Sequence, residues 1–232
     1  MPKPRRPWIV TKHGPIEKLD DNLWGVESNV PGVPMPRRMC IARMADGKLA
    51  FFHAVPLEEG ALQQVRSLGT PAYLVVGHDQ HVVDAHAFAE KLGLKVYGPK
   101  EREAQLRTRV DLAGTLESFP GDATVQVEAM PGTKTGEALM RVTSGGQRLS
   151  VLFTDAIMNV RHGSLLFRLI GMTGSPKCTP IFRMFFISDR KALKAGFERL
   201  AALPNLTRLV PCHGEVVQQD AAGTLRAVAA TL

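Results

Sequence analysis

The sequence contains few cysteines, and their spacing fits neither a disulfide framework nor a structural zinc finger. Among its 232 residues three are cysteine. Cys40, Cys178 and Cys212 are odd in number, lie far apart and form no CxxC pair. This usage is typical of a reducing compartment, where thiols stay reduced. We therefore expect a cytoplasmic protein.

Long apolar runs are also missing. Nowhere do about 18 uninterrupted apolar residues suggest a membrane span. The first seven residues are basic, but Trp8-Ile9-Val10 gives way at once to polar residues, whereas a signal peptide would continue as an apolar run. We interpret residues 1–15 as a basic, proline-rich leader and expect no secretion signal.

Two catalytic motifs are absent as well. The sequence has no Gly-x-Ser-x-Gly nucleophile elbow and no Gly-x-x-x-x-Gly-Lys-Ser/Thr phosphate-binding loop. It carries no recognisable nucleic-acid-binding module either. These absences argue against a serine hydrolase and a P-loop nucleotide hydrolase, and they disfavour nucleic acid as a partner.

What remains is the composition of an ordinary globular protein with a basic charge balance. Hydrophobic residues make up 44% and charged residues 22% of the chain, which excludes global disorder and provides for a sizeable core. The length fits one domain, which we expect over residues 16–232. The formal charge of +7 favours an anionic partner, such as nucleic acid, a phosphorylated metabolite or an acidic lipid surface. Of these we expect an anionic small-molecule substrate or ligand.

The pattern of apolar residues changes along the chain. In the first half an Asp46-Gly47 turn joins a hairpin, and strands then alternate with helices whose apolar residues recur at helical spacing over 61–68 and 85–92. From residue 124 onwards short strands are joined by tight turns, and two amphipathic helices follow near the end. This order favours an α+β protein with two sheets.

Five apolar strands end in a polar or glycine-rich turn, and strand ends are where sites are built in α/β cores. These segments are Phe52-His53-Ala54, Gly77 to His81, Met130 to Gly136, Phe153-Thr154-Asp155 and Val210 to Gly214.

In this order and at these intervals the segments resemble the metallo-β-lactamase superfamily, and the resemblance covers nearly the whole chain from about Ile16. It implies a four-layer αββα sandwich of two mixed β-sheets flanked by helices. In active members a His-x-His-x-Asp-His loop, a later histidine, a bridging aspartate and a terminal histidine hold one or two ions, usually zinc. Such ions activate water for hydrolysis.

Several positions of this sequence match that pattern. His78 stands where the first histidine of the loop belongs, Asp155 matches the bridging aspartate, and His213 in Pro-Cys-His-Gly matches the terminal histidine. A local shift would also bring His81 into the site. The resemblance therefore implies His78, His81, Asp155 and His213 as metal ligands, with Asp155 and His213 acting in catalysis.

Other positions depart from the pattern. The second histidine of the loop is replaced by Gln80, and the later histidine is replaced by Thr133. His53 stands where active members usually carry an aspartate. These departures imply an eroded binuclear site, which holds a single zinc or other divalent ion or is free of metal.

Lys134, beside Thr133, is a candidate for the vacant place. An ammonium group has no lone pair for a cation, so a charged Lys134 opposes metal binding. If it points inward, it could pair with Asp155 and stabilise an acidic pocket without metal. We therefore include Lys134 among the candidate catalytic residues.

The stretch 156–187 is an irregular insert in which basic and large apolar residues are interleaved. A lid over the core is the favoured interpretation, and a homodimer contact or an anion-binding surface remains an alternative. Cys212 is interpreted as a small buried side chain, although it could also be a soft metal ligand.

Two hypotheses follow from these residues. The first is a metallo-hydrolase-like protein that uses one ion to hydrolyse an ester, lactone, amide or phosphoester. The second is a non-catalytic protein of the same fold that binds an anionic ligand or a partner.

Overall fold

The computed structural model describes residues 5–163 and 165–232, without the side chain of Leu166. The first four residues of the expected leader and Ser164 of the expected insert therefore lie outside the described residues. Residues 5–15 lie against the body of the molecule, where Trp8 stacks on Phe88 with ring centroids 5.9 Å apart. No helix among the described residues is long and apolar enough to cross a membrane.

Two mixed sheets form the centre of the molecule. The first has seven strands in chain order, antiparallel from β1 to β4 and parallel from β4 to β7. They are β1 (Glu17–Asp20), β2 (Leu23–Asn29), β3 (Pro36–Arg43), β4 (Lys48–Phe52), β5 (Thr70–Val75), β6 (Lys95–Gly98) and β7 (Leu112–Thr115).

The second sheet has four strands in the order β11-β10-β9-β8, with the outer pair β10 and β11 parallel and the other pairs antiparallel. They are β8 (Val125–Ala129), β9 (Ala138–Ser144), β10 (Arg148–Phe153) and β11 (Leu206–Pro211).

Helices α1 (Glu59–Leu68), α2 (Ala85–Leu92) and α3 (Glu103–Arg107) pack on the outer face of the first sheet. Helices α6 (Arg190–Ala201) and α7 (Ala221–Ala230) pack on the outer face of the second sheet. The short helices α4 (Leu165–Leu169) and α5 (Pro180–Phe185) lie in the segment 156–187. Single 3₁₀ turns span Lys100–Arg102 and Leu116–Ser118.

The alternation of side chains along the strands creates the layers. In β4, Phe51 faces the helices α1 and α2 and meets Phe88 edge to face at 5.2 Å, whereas Phe52 faces the other sheet. In β10, Phe153 faces α6 and α7, whereas Leu152 faces the first sheet. Because successive residues of a strand point to opposite faces, each sheet is buried on both sides. The result is the expected αββα sandwich of two mixed sheets.

Local turn and cap chemistry agrees with the sequence. Gly47 has φ of 83° in the hairpin turn between β3 and β4, and Asp189 caps α6 by accepting the backbone N–H groups of Lys191 and Ala192. The apolar pattern of the sequence did not predict β1, α3 or β7, nor the short helices α4 and α5 in the insert. These elements have four to six residues, too few for a periodic pattern to emerge.

A buried ion cluster joins the two sheets. Asp20 at the end of β1 is 8% exposed. It accepts from Arg148 of β10 at 2.6 Å and from Arg208 of β11 at 2.9 Å. Burial alone would raise the pKa of Asp20, but the hydrogen bonds from the two guanidinium groups outweigh it and hold that pKa well below 3.8.

We expect Asp20→Asn to lower the free energy of unfolding by about 2 kcal/mol at neutral pH, between the values for exposed and fully buried pairs. The carboxylate is stabilising above the unfolded pKa of 3.8 and loses this effect as the pH falls towards the lower pKa of the folded state. The difference between wild type and variant should therefore shrink in thermal denaturation near pH 3. Asp46→Asn, which breaks an exposed pair with Lys48, is the control. A pH-independent difference would contradict the assignment.

Candidate metal centre

Four strands end at the same rim of the sandwich and carry the candidate ligands there. His53 follows β4, His78 lies three residues after β5, Asp155 two residues after β10, and Cys212 and His213 follow β11. Parallel pairing of β4 with β5 and of β10 with β11 puts the carboxyl ends of each pair side by side. The fold therefore gathers residues that are far apart in sequence.

Three imidazoles surround one carboxylate at this rim. Asp155 Oδ2 lies 3.0 Å from His78 Nε2 and 3.1 Å from His81 Nε2, and Asp155 Oδ1 lies 3.2 Å from His213 Nε2. His78 is fully buried, His213 is 2% exposed and Asp155 is 8% exposed. The carboxylate thus exchanges water for three nitrogen partners in an interior where an unpaired charge would be very costly.

Hydrogen bonds at the far side of the rings define the tautomers. His213 Nδ1 donates to the Pro36 carbonyl at 2.7 Å. Burial alone would lower the pKa of His213, but Cys212 and Asp155 raise it, and in the protonated ring Nε2–H points at Asp155 Oδ1. In the neutral ring Nε2 carries a lone pair, as in metal-ligating histidines. His78 Nδ1 instead accepts the Gln80 backbone N–H at 3.2 Å, so its Nε2 carries the proton and donates to Asp155. Metal binding at His78 Nε2 requires that the hydrogen bond from Gln80 is given up.

The electrostatics of the cluster centre on Asp155. Burial alone would raise its pKa, but the charge of His81 and the hydrogen bonds from the three imidazoles hold it well below the usual range. Burial alone would lower the pKa of His81, yet Asp155 raises it well above the usual range. Burial does lower the pKa of His78. Without metal the site is therefore a buried carboxylate–imidazolium pair.

Glu137 supports Asp155 from behind. It is 1% exposed, and its Oε1 accepts the backbone N–H groups of Asp155 and Ala156 at 2.8 and 2.7 Å. Burial and the negative charge of Asp155 raise the pKa of Glu137 to about 8. Sequence reasoning missed this residue, because only the fold brings the turn before β9 behind Asp155.

His53 and Cys212 lie on the other side of His81. His53 is 4% exposed and has a left-handed backbone with φ of 64°, and neither of its ring nitrogens has a hydrogen-bond partner among the described residues. Cys212 Sγ lies 3.9 Å from His81 Nδ1. Burial alone would raise the pKa of Cys212, but the imidazoles of His53 and His213 bring it well below the usual range.

Close packing holds the floor of the site in place. A Cβ atom at Gly77 would lie 2.3 Å from the Thr154 side chain and 2.6 Å from His53 Cε1. Thr154 in turn donates to the Ala138 carbonyl at 2.8 Å. Glycine at position 77 therefore allows β5, β10 and the His53 ring to approach each other.

The end of the insert covers the centre. Phe186 lies with its ring centroid 6.0 Å from that of His78, and Ile187 forms a β-bridge with Thr133. A cleft of about 720 Å³ opens on the outer side of the histidine loop, with Gln80, Arg6 and Arg109 among its lining residues.

The structure brings together four of the five residues expected in the site, namely His78, His81, Asp155 and His213. Lys134 does not join them: its side chain is exposed, and its backbone N–H donates to the Phe186 carbonyl at 2.8 Å. The ion pair between Lys134 and Asp155 is not formed among the described residues. The three imidazoles contact the Asp155 carboxylate instead.

The donor set fits one cation. The ligand atoms of His78, His81 and Asp155 all lie within 4.8 Å of one another. Zinc with bonds of about 2.0–2.1 Å separates its tetrahedral ligands by about 3.3 Å, close to the 3.0 and 3.1 Å found here. Giving up the hydrogen bond at His78 costs about 1 kcal/mol, far less than the roughly 10 kcal/mol a structural zinc contributes.

Gln80 and Thr133 add no further imidazole to this group. Gln80 is exposed and lines the cleft on the outer side of the histidine loop. Thr133 Oγ1 is already used, because it donates to the Met130 carbonyl at 2.9 Å and accepts the Glu137 N–H at 3.0 Å.

The chain has the fold of the metallo-β-lactamases. A metallo-β-lactamase from Pontibacter korlensis is 13% identical, with 94% of this chain and 99% of that chain covered and a TM-score of 0.62. DIM-1 metallo-β-lactamase exposed to ceftazidime is 14% identical, with coverages of 96% and 99% and a TM-score of 0.64. VMB-1 is 14% identical, with coverages of 93% and 96% and a TM-score of 0.63. No protein-family model and no curated protein matches the chain.

The support from Glu137 leads to a prediction. Glu137→Ala should lower the free energy of unfolding by about 3 kcal/mol, because it leaves two buried N–H groups without an acceptor and opens a cavity. Glu137→Gln keeps an oxygen acceptor and is neutral, as is Glu137 below its pKa of about 8. We expect it to cost less than about 1 kcal/mol at neutral pH.

The pH dependence has a defined sign. The folded protein binds the Glu137 proton more tightly than the unfolded chain, with a pKa of about 8 against 4.5, so wild-type stability falls as the pH rises through this interval. Glu137→Gln lacks this titration and should gain on the wild type in alkaline buffer. Denaturant unfolding with a chelator present measures both effects. Equal losses for the two variants would contradict the role.

Proposed function

We propose that this protein is a metal-dependent hydrolase that holds one divalent cation, zinc by its donor set, at the rim of the sandwich. His78, His81, Asp155 and His213 hold the ion. The observation that carries this proposal is the convergence of three imidazoles on the buried Asp155 in a chain with the metallo-β-lactamase fold.

The chemistry divides between the cation and the chain. A divalent cation in such a site supplies a water of near-neutral pKa and polarises a carbonyl or phosphoryl oxygen. The chain orients the ligands: Pro36 fixes the ring of His213, and Glu137 fixes the backbone of Asp155. The covering Phe186 limits the access of water to His78. Candidate reactions are hydrolysis of an ester, lactone, amide or phosphoester.

An anionic substrate is favoured by charge. The chain carries a formal charge of +7, and Arg6 and Arg109 line the cleft beside the histidine loop. Three free, buried cysteines support a reducing compartment, and we propose the cytoplasm.

A different observation favours the second candidate function, a binding role without catalysis. Four large apolar side chains of the insert are more than half exposed: Leu165 at 70%, Leu169 at 76%, Met184 at 69% and Phe185 at 59%. Exposed apolar residues grouped on one segment mark an interaction site. A second copy of this chain or another partner would cover them.

Metal analysis and turnover distinguish the two functions. We expect the purified protein to bind zinc in a manner that depends on Asp155, and Asp155→Asn to lose this ion. His213→Ala should lower kcat/KM for generic ester and phosphodiester substrates by about 100-fold. His86→Ala is the control, because His86 lies on α2 beside Glu90 and Asp111. Absence of both the Asp155-dependent ion and His213-dependent turnover would contradict the hydrolase and favour the binding role.

A further inference from the structure

A second group of donors lies next to the first. One nitrogen of His53, one of His81 and the sulfur of Cys212 all lie within 4.8 Å of one another. Each of these side chains is mostly buried, and His53 and Cys212 are 4% and 3% exposed. His81 is the one residue that this group shares with the first group of His78, His81, Asp155 and His213.

The contacts of His81 leave its Nδ1 available as a ligand for this group. Its Nε2 lies 3.1 Å from Asp155 Oδ2, and its Nδ1 lies 3.9 Å from Cys212 Sγ. When Nε2–H donates to the carboxylate, the lone pair of the neutral ring is on Nδ1 and points towards the sulfur. A carboxylate that receives one ring N–H while the other nitrogen binds a metal is the usual second-shell arrangement of metal-bound histidine.

His53 shows the clearest sign of a missing ligand. Both of its ring nitrogens are buried, and no hydrogen bond of ordinary geometry reaches either of them among the described residues. The polar group that interacts with this ring is the Cys212 side chain. A buried polar group so poorly paired is destabilising, and the left-handed backbone at φ of 64° adds strain in a residue that is not glycine. Such a side chain is held in place by its surroundings, with Gly77 and Phe52 packed against the ring.

We propose that His53, His81 through Nδ1, and Cys212 form a cation site of their own, for a transition metal that accepts both nitrogen and sulfur ligands. Two imidazoles and one thiolate suit Zn²⁺ or Co²⁺ and do not suit Mg²⁺ or Ca²⁺. Three protein ligands leave one position of a tetrahedron for water or a ligand. On binding, the protons carried by Cys212 Sγ and by His81 Nδ1 are released to solvent, and the sulfur exchanges its contact with the Arg38 carbonyl at 3.6 Å for the metal.

This site is distinct from the ion proposed at Asp155. The two share His81 alone, and His81 presents a different nitrogen to each. Cys212 and His53 have no part in the first set, and His78 and His213 have none in the second. A neutral imidazole has one lone pair, so His81 serves one ion at a time, and either site can form while the other is empty.

Cobalt(II) is a direct probe, because thiolate ligation gives an intense sulfur-to-cobalt charge-transfer absorption in the near ultraviolet. We expect this band when cobalt(II) is added to the metal-free wild-type protein. Cys212→Ser should abolish the band, and His53→Asn, which tolerates the left-handed backbone, should weaken cobalt binding at least about tenfold. Cys178→Ser is the matched control, because Cys178 is also free and 3% exposed, and it should keep the band.

Two further measurements separate the outcomes. Asp155→Asn should remove the rim ion and retain the thiolate band. A protein that shows the thiolate band but holds no Asp155-dependent ion would count against the hydrolase and leave the sulfur site intact. Zinc should also protect the Cys212 thiol of the wild type from alkylation, as read by peptide mass spectrometry, which needs no variant to fold. A wild type without the band, or a band that survives Cys212→Ser, would overturn the proposal.

Discussion

The burial of the Asp155 carboxylate is the constraint on which the rest of the rim depends. A charge removed from water is tolerated only when hydrogen bonds and opposite charge replace the lost hydration. Here three imidazoles provide these partners, and the ends of β5, β10 and β11 bring them together. The two sheets must therefore pack in one register, because a small shift of either would leave Asp155 uncompensated.

The backbone around the Asp155 carboxylate is also constrained by its packing and hydrogen bonds. His53 adopts a left-handed conformation and Gly77 admits its ring against Thr154. Glu137, largely neutral because of its raised pKa, anchors the chain behind Asp155 without adding a full second charge. Strained or unusual groups of this kind persist when the surrounding structure determines them, and they concentrate at functional sites. The left-handed backbone of His53, the close packing at Gly77 and the raised pKa of Glu137 are thus all found at the rim.

The sequence predicted what depends on local patterns and on strand ends. The hairpin at Asp46-Gly47 and the gathering of His78, Asp155 and His213 follow from turn chemistry and from the resemblance in order and spacing. The pairing of Lys134 with Asp155 was conditional on an inward side chain, and side-chain direction in a turn depends on packing that arises only in the folded chain. For the same reason Glu137 was missed. Cys212 is a small buried side chain, as the sequence predicted. His53 was noted as a departure, although its position at a strand end already indicated the rim.

The two hydrogen bonds of Thr133 bear on how such a centre could change. Its hydroxyl joins the Met130 carbonyl to the Glu137 N–H, and Glu137 in turn holds the Asp155 backbone. An imidazole introduced at position 133 would supply the ligand that the usual binuclear arrangement needs, but it would also release the turn that supports the existing carboxylate. A histidine at position 133 is therefore compatible with the present support of Asp155 only together with compensating changes in the turn.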